Sequence, residues 1–268
     1  MSISVLLIYA AVGAVVGLLA GLLGVGGGTI IVPVLVLMFN RQGLPADLIM
    51  QLALATSLAS IAFTSVSSAL SHHRHGAVDW TIVKRMTPGI VLGTFGGSVI
   101  VSRVFSSGFL QAFFAVFLFL VSLNMLAGKK PKPSRQLPGP VGLAAVGGGI
   151  GVASSMAGIG GGSLTVPFLM WCNVTGHRAV ATSAAVGFPL AVAGALGFSL
   201  TNLGHPGLPA WSVGFVYLPA LLGIVCASVL TAPLGARLAH SLPVARLKRV
   251  FAVFLVVIAV RMAWDLLA

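Results

Sequence analysis

Two nearly identical glycine runs carry the groups best suited to bind a ligand. The first run is Gly24-Val25-Gly26-Gly27-Gly28-Thr29, and the second is Gly158-Ile159-Gly160-Gly161-Gly162-Ser163. Glycine permits positive φ and lets the backbone approach a ligand closely. Each run ends in a hydroxyl residue before a short apolar segment, which resembles a loop leading into a helix N-terminus. Free N–H groups and the positive end of the helix dipole favour an anion at such a terminus.

A proline follows each glycine run at the same distance, because Val32-Pro33 is matched by Val166-Pro167. We expect Pro33 and Pro167 to remove a helix hydrogen bond and to keep the two short segments broken. The competing interpretation is that the glycines serve close packing of helices. The recurrence of the run at a matched position favours a substrate site.

Two Ala-Thr-Ser steps add uncharged hydrogen-bond donors, at residues 55–57 and 181–183. Their hydroxyls could bind substrate or could bond to carbonyls of their own helix, as membrane Ser and Thr often do. The predicted substrate-binding residues are Gly26, Gly27, Gly28, Thr29, Thr56, Ser57, Gly160, Gly161, Gly162, Ser163, Thr182 and Ser183.

The acidic residues are few and lie at segment ends, where Asp47, Asp79 and Asp265 are found. No acid inside a segment is available for a proton relay or for holding a cation, which favours an anionic substrate. The sequence shows no nucleophile–base pair, metal-ligand spacing or Walker motif, so we expect neither an enzyme nor a cofactor. Three histidines, His72, His73 and His75, could bind a metal or sense pH, but an interface cap is the favoured interpretation.

The composition is that of an integral membrane protein. Among the 268 residues, 58% are hydrophobic and 7% are charged, against about 45–50% and about 25% in soluble globular proteins. The ten apolar segments cover residues 3–23, 28–39, 48–70, 81–101, 109–127, 140–157, 163–172, 179–201, 211–232 and 248–267. The second and seventh segments are shorter than the about 20 residues that an upright spanning helix needs.

The basic residues indicate how the segments are oriented. The 15 Lys and Arg residues lie between apolar runs, which favours membrane topology over nucleic-acid binding. If regions 3–39 and 140–172 each cross the bilayer an even number of times, twelve of the 15 fall on one side, whereas single crossings split them eight to seven. Because cytoplasmic loops collect Lys and Arg, we expect both termini outside and the 128–139 linker in the cytoplasm. Each even-crossing region is either two short tilted spans or a re-entrant hairpin.

A third matched segment completes an internal repeat, because the Phe-Ala-Val-Phe-Leu sequence of residues 114–118 recurs at 251–255. Each half would contain an even-crossing hairpin and three spans, so the halves would have opposite orientations. We therefore predict an all-α polytopic membrane protein of two inverted repeats, 1–127 and 140–268. Each repeat has about five helical segments and a glycine-broken hairpin at its start. Such repeats are typical of transporters that hold substrate between the halves.

The duplicated GxGGG[ST]xxxVP motif and the HRAVATS segment at 177–183 resemble the sulfite exporter TauE/SafE family, also called TSUP. The resemblance covers nearly the whole chain and implies a bacterial inner-membrane transporter for sulfite or small organosulfonates, often working outward. Its signature positions fall on Gly24, Gly26, Gly27, Gly28, Pro33, Gly158, Gly160, Gly161, Gly162 and Pro167. His177-Arg178 occurs only in the second half, since the first half has Gln51-Leu52 at that place.

The leading hypothesis is a secondary transporter that exports a sulfur-containing anion by alternating access between the two halves. Its partners would be the small anion and the lipid bilayer, with no nucleic acid. A passive anion channel is an alternative, as is a metal-ion permease that uses His72, His73 and His75. A membrane enzyme or receptor subunit is less well supported because catalytic groups and an extramembrane domain are absent from the sequence.

Overall fold

The computed structural model describes residues 3–23, 27–127, 134–205, 207–241 and 244–267, and in these ranges the fold is almost entirely helical. The helices are α1 Ile3–Leu23, α2 Gly28–Arg41, α3 Ile49–Arg74, α4 Trp80–Val104, α5 Ser107–Ala127, α6 Pro140–Ala157, α7 Gly162–Trp171, α8 Gly176–Leu200, α9 Leu218–Ser241 and α10 Val244–Leu267. Two short strands, β1 Ser212–Val213 and β2 Val216–Tyr217, form an antiparallel hairpin before α9. The predicted all-α polytopic membrane fold is confirmed.

Helix length separates the spanning helices from the broken ones. Within the described ranges, seven helices (α1, α3, α4, α5, α6, α8 and α9) are long and apolar enough to cross a membrane. Helix α2 has 14 residues and α7 has 10, which correspond to about 21 Å and about 15 Å. Both are shorter than the hydrocarbon core of about 30 Å, as the sequence predicts for these two segments.

The prediction of the ninth apolar segment as a helix over 211–232 is wrong for its first residues. Residues 212–217 form the β-hairpin, and α9 begins only at Leu218, whose N–H donates to the carbonyl of Trp211 at 3.0 Å. Trp211 has a φ of 69°, which a continuous helix does not allow. Hydrophobicity alone cannot distinguish a short apolar hairpin from the first turns of a helix.

Small residues let neighbouring helices approach closely. Helix α1 packs mainly on α9, and α4 packs mainly on α6. A Cβ added at Gly17 of α1 would lie 2.7 Å from the Cα of Ser228, and one added at Gly93 of α4 would lie 2.8 Å from the Cα of Gly148. Packing through small residues is the usual way that membrane helices associate. The glycines of α1 and α4 therefore serve helix contact.

The helix pairs correspond between the two sequence repeats. The α1–α9 pair has its counterpart in α4–α6, while α3 packs on α8 and α5 packs on α10. The repeated pentapeptides lie in α5 and α10, and their first, second and fifth residues are buried in both: Phe114, Ala115 and Leu118, and Phe251, Ala252 and Leu255. Equivalent sequence positions thus have equivalent burial.

Helices α6 and α7 form a hairpin whose two ends lie together. The N–H groups of Ser134 and Arg135, which precede α6, donate to the carbonyl of Trp171 at the end of α7, at 3.3 and 3.4 Å. In the first half, Gln42 after α2 donates to the hydroxyl of Tyr9 in α1 at 2.7 Å. Each short helix therefore returns toward the side from which its hairpin starts. Residues 128–133 of the predicted linker lie outside the described residues.

Candidate functional site

The two glycine runs form turns of the same geometry. Gly27, just before α2, has φ 75° and ψ −13°, and Gly161, just before α7, has φ 75° and ψ −14°. In both turns the glycine carbonyl accepts hydrogen bonds from the N–H groups three and four residues later. A left-handed conformation of this kind favours glycine over every residue with a Cβ. The sequence repeat is thus matched by a repeat of backbone conformation.

The first turn packs directly on the start of the second run. A Cβ added at Gly28 would meet the carbonyl oxygen of Gly158 and would lie 2.7 Å from the Cα of Ile159. The Ser57 hydroxyl donates to the Gly158 carbonyl at 2.7 Å. The two glycine runs therefore meet inside the protein, and Ser57 of one half binds the backbone of the other. Gly24 and Gly26 lie outside the described residues.

The threonines of the two Ala-Thr-Ser steps make matched contacts with the opposite half. Thr56 Oγ1 accepts a hydrogen bond from the N–H of Tyr217 at 2.9 Å, and Thr182 Oγ1 accepts one from the N–H of Asp79 at 3.0 Å. Tyr217 precedes α9 and Asp79 precedes α4, so each threonine holds the start of a helix that belongs to the other half. This use of the hydroxyls was not among the interpretations drawn from the sequence.

The hydroxyl residues that end the glycine runs lie in the first turns of α2 and α7. Among the described residues, neither Thr29 Oγ1 nor Ser163 Oγ has a hydrogen-bond partner, although both atoms are buried. Thr165 Oγ1, one turn into α7, is also buried and has no hydrogen-bond partner among the described residues. Buried hydroxyls are normally paired, so these positions offer hydrogen-bonding groups that the described chain does not satisfy.

A pocket lies between α3 and α8 beside the second glycine run. Its free volume is about 10 Å³, room for little more than one water molecule, and part of it is open to the outside. None of its described lining residues is charged. Its lining residues are Ala20, Thr64, Ser65, Ser68, Gly160, Ser183, Ala184 and Gly187. Of the predicted site residues, this pocket brings together Gly160 and Ser183, while Thr56, Ser57 and Thr182 bind backbone nearby.

Helix α3 contributes three pocket hydroxyls that the sequence reasoning missed. The Thr64 hydroxyl donates to the carbonyl of Ser60 at 3.0 Å, and the Ser65 hydroxyl donates to that of Ala62 at 3.1 Å. Ser68 Oγ is buried, with no partner in the described parts of the chain. The four-residue spacing of Ser60, Thr64 and Ser68 was the available signal, since it places all three on one helix face.

The corresponding space in the other half is filled. The offset between the two Ala-Thr-Ser steps places Leu190 and Gly194 of α8 where α3 has Thr64 and Ser68. A Cβ added at Gly194 would lie 2.7 Å from Leu58 Cδ1, and one added at Gly161 would lie 2.8 Å from Leu190 Cδ1. Leu58 and Leu190 are fully buried. The α3–α8 interface is thus polar and partly open at one end and apolar and closed at the other.

An ion pair joins the two halves next to this pocket. The Arg178 guanidinium lies 3.1 Å from the Asp79 carboxylate, with the two side chains 57% and 25% exposed. The other carboxylate oxygen of Asp79 accepts bonds from the N–H groups of Thr81 and Ile82 and so caps α4. An exposed pair of this kind contributes about 0–1 kcal/mol. Its value here is to hold the start of α4 against α8.

The three clustered histidines point to different partners. His72 Nε2 lies 3.2 Å from the carbonyl of Gly21, and His75 Nδ1 lies 2.8 Å from the carbonyl of Ser71. His73 accepts a hydrogen bond from the indole N–H of Trp80 at 3.1 Å. Over the ranges that the structure describes, no three His, Cys, Asp or Glu side chains come together as metal ligands. This arrangement offers no support for a metal-ion permease.

The apolar helices, the broken hairpins and the buried polar interface define a multi-pass membrane protein. The chain belongs to the sulfite exporter TauE/SafE family, whose profile matches residues 9–262. It is 38% identical over 253 residues to a "probable membrane transporter protein" of Haemophilus influenzae, covering 94% of this chain and 95% of that protein. It is also 30% identical over 215 residues to a protein of the same description, YunE, of Bacillus subtilis, covering 70% and 76%. No solved structure matches the chain.

Proposed function

We propose that this protein is a secondary transporter that exports sulfite or a small organosulfonate anion across the bacterial inner membrane. The observation that carries the proposal is the α3–α8 pocket, which is lined by hydroxyl groups and glycine backbone. The Ser68 hydroxyl, which has no partner among the described residues, can donate a hydrogen bond to an oxygen of a sulfite or sulfonate group. Thr64 and Ser65 would do so by leaving the carbonyls of their own helix. The family profile and the transporter names of the relatives support the transport class.

The pocket hydroxyls can donate to an anion, and the described lining residues include no carboxylate that would favour a cation. The glycine turns bring the N-termini of α2 and α7 into the interior, where the helix dipole favours negative charge. The unpaired hydroxyls of Thr29 and Ser163 lie at these two termini. The chain has 3 acidic residues in all, and no acid is among the described residues that line the pocket.

The matched helix pairs support alternating access between an N-terminal half, 1–127, and a C-terminal half, 140–268, which the 128–139 linker joins. The start of α6 and the end of α7 lie together at Trp171, which favours an even number of membrane crossings in each glycine region. With an even number of crossings there, the two halves have opposite orientations. With the basic loops in the cytoplasm, the open pocket faces the cytoplasm, and the packing of Leu58 beside Gly194 and of Leu190 beside Gly161 closes the outer side. An anion of charge −1 then gains about 2.3 kcal/mol per 100 mV on leaving a negative interior.

Purified protein in proteoliposomes tests this proposal through uptake of labelled sulfite and of a labelled organosulfonate. We expect saturable flux, and we expect Ser68→Ala and Ser183→Ala to raise KM. Ser122→Ala is the matched control, because Ser122 is buried in α5 and bonds to the carbonyl of its own helix at Phe119. Absence of flux for both anions overturns the proposal. A non-saturating conductance in planar bilayers indicates a passive channel instead.

A further inference from the structure

A second groove lies between the ends of α3 and α9, on a different face of α3 from the substrate pocket. It contains about 420 Å³ of space between protein atoms, part of it open, and is lined mainly by Ser67, Leu70, Arg74, His75, Pro233 and Arg237. The pocket residues of α3 are 64, 65 and 68, whereas the groove residues are 67, 70, 71, 74 and 75. At 100° per residue, the centres of the two sets lie about 100° apart around α3.

A proline in α9 shapes this groove. Pro233 has no N–H, so the carbonyl of Val229, four residues earlier, loses its helix partner. The Ser67 hydroxyl of α3 donates to that carbonyl at 2.8 Å. This bond ties α3 to α9 at the inner end of the groove and leaves Arg74 and Arg237 at its outer end.

The groove carries positive charge that the described residues do not neutralise. Arg74 and Arg237 come from different helices and line the same space, and both are exposed. Neither forms an ion pair with any described residue, because the described chain pairs Arg178 with Asp79 and no other such pair is present. Two guanidinium groups can hold one oxyanion with bidentate hydrogen bonds, and phosphate fits that geometry.

Exposed leucines lie next to this groove on both helices, because Leu230 and Leu234 each precede a groove residue of α9 by three positions. Leu70 is 49% exposed on the α3 wall, and on α9 Leu230 is 74% and Leu234 is 49% exposed. A small free oxyanion would gain nothing from these side chains, whereas a lipid would place its acyl chain on them. Basic groups between membrane helices at the cytoplasmic surface are a common way of holding anionic lipid headgroups.

We propose that the α3–α9 groove binds the phosphate of an anionic phospholipid through Arg74 and Arg237, with an acyl chain along Leu70, Leu230 and Leu234. The inference does not depend on which substrate is carried. It rests on the juxtaposition of two arginines, which form no ion pair with any described residue, with an exposed leucine surface.

Thermal unfolding of the detergent-purified protein provides the test, with short-chain phosphatidylglycerol, short-chain phosphatidylcholine and inorganic phosphate as separate additions. We expect phosphatidylglycerol to raise the Tm of the wild-type protein. We expect its affinity for the R74Q/R237Q double variant to be lower than for the wild type by about tenfold or more. We expect phosphatidylcholine and inorganic phosphate to have no comparable effect.

The matched control is Lys84→Gln with Arg85→Gln, which removes the same charge from exposed positions at the start of α4. This control should keep the wild-type affinity for phosphatidylglycerol. The proposed site is overturned if the control variant loses as much affinity for phosphatidylglycerol as the double variant does. It is also overturned if phosphatidylcholine raises Tm as much as phosphatidylglycerol. Inorganic phosphate that stabilises as strongly as phosphatidylglycerol overturns the assignment to a lipid.

Discussion

The two threonines that join the halves allow a quantitative test of what the Ala-Thr-Ser steps do. Replacing Thr56 or Thr182 by valine keeps the side-chain shape but removes the acceptor for the N–H of Tyr217 or of Asp79. Leaving a buried N–H unpaired costs about 1–3 kcal/mol. The Tyr217 bond is buried and the Asp79 bond is partly buried. Thr56→Val should therefore destabilise the protein more than Thr182→Val.

The size of the effect can be stated as a change in melting temperature. One kcal/mol corresponds to about 2–4 °C in a chain of this length, so each valine variant should lower Tm by about 2 to 12 °C. Thermal unfolding in detergent measures this change. Thr56→Ser and Thr182→Ser are the controls, because serine retains the acceptor oxygen and should restore most of the lost stability.

Hydrogen exchange gives a local measurement for the same variants. The amide protons of Tyr217 and Asp79 should exchange faster in the corresponding valine variant and at the wild-type rate in the serine variant. A valine variant with unchanged Tm and unchanged amide exchange refutes the assignment of these threonines as connections between the halves. If the hydroxyls also bind substrate, valine raises KM for sulfite at temperatures where the variant remains folded, and serine does not.

Three further predictions concern packing, helix capping and sidedness. Gly28→Ala should lower the free energy of unfolding by about 1–3 kcal/mol, because its Cβ would meet backbone of the second glycine run. The control is Gly149→Ala, where a Cβ would meet nothing within 4 Å, and it should change Tm little or raise it. Asp79→Ala should cost about 1 kcal/mol more than Asp79→Asn in thermal unfolding, since asparagine still caps α4, and equal losses contradict the capping role. In a cysteine-free background, membrane-impermeant maleimide added to intact cells should label Arg103→Cys and not Arg74→Cys, and labelling of both contradicts the predicted sidedness.

Local features of the fold followed well from the sequence. The apolar runs predicted 28–39 and 163–172 as short segments, and the helices observed there are Gly28–Arg41 and Gly162–Trp171. The duplicated glycines predicted a special backbone, and Gly27 and Gly161 have nearly identical left-handed conformations. Hydrophobicity and glycine preference act within a few residues, so a single chain carries enough information to recognise them.

Contacts between distant residues did not follow from the sequence. Tyr217 is 161 positions from Thr56, and Asp79 is 103 positions from Thr182, so no local pattern links them. The serine-rich face of α3 shows the same limit. Ser60 and Ser65 bond to carbonyls of their own helix, whereas Ser68 has no described partner. Which hydroxyl stays open depends on where α8 lies.

The close packing of α1 on α9 has a consequence for how the protein is made. The glycine face of α1 is covered by a helix that begins at Leu218, so its partner leaves the ribosome about 200 residues later, or roughly 10 to 40 s at ordinary synthesis rates. During that interval the first half stands in the bilayer with the contact face of α1 uncovered, and the contact face of α4 stays uncovered only until α6 has been made. The insertion machinery or lipid must shield these faces until the second half arrives, and a first half synthesised alone would keep them exposed to degradation.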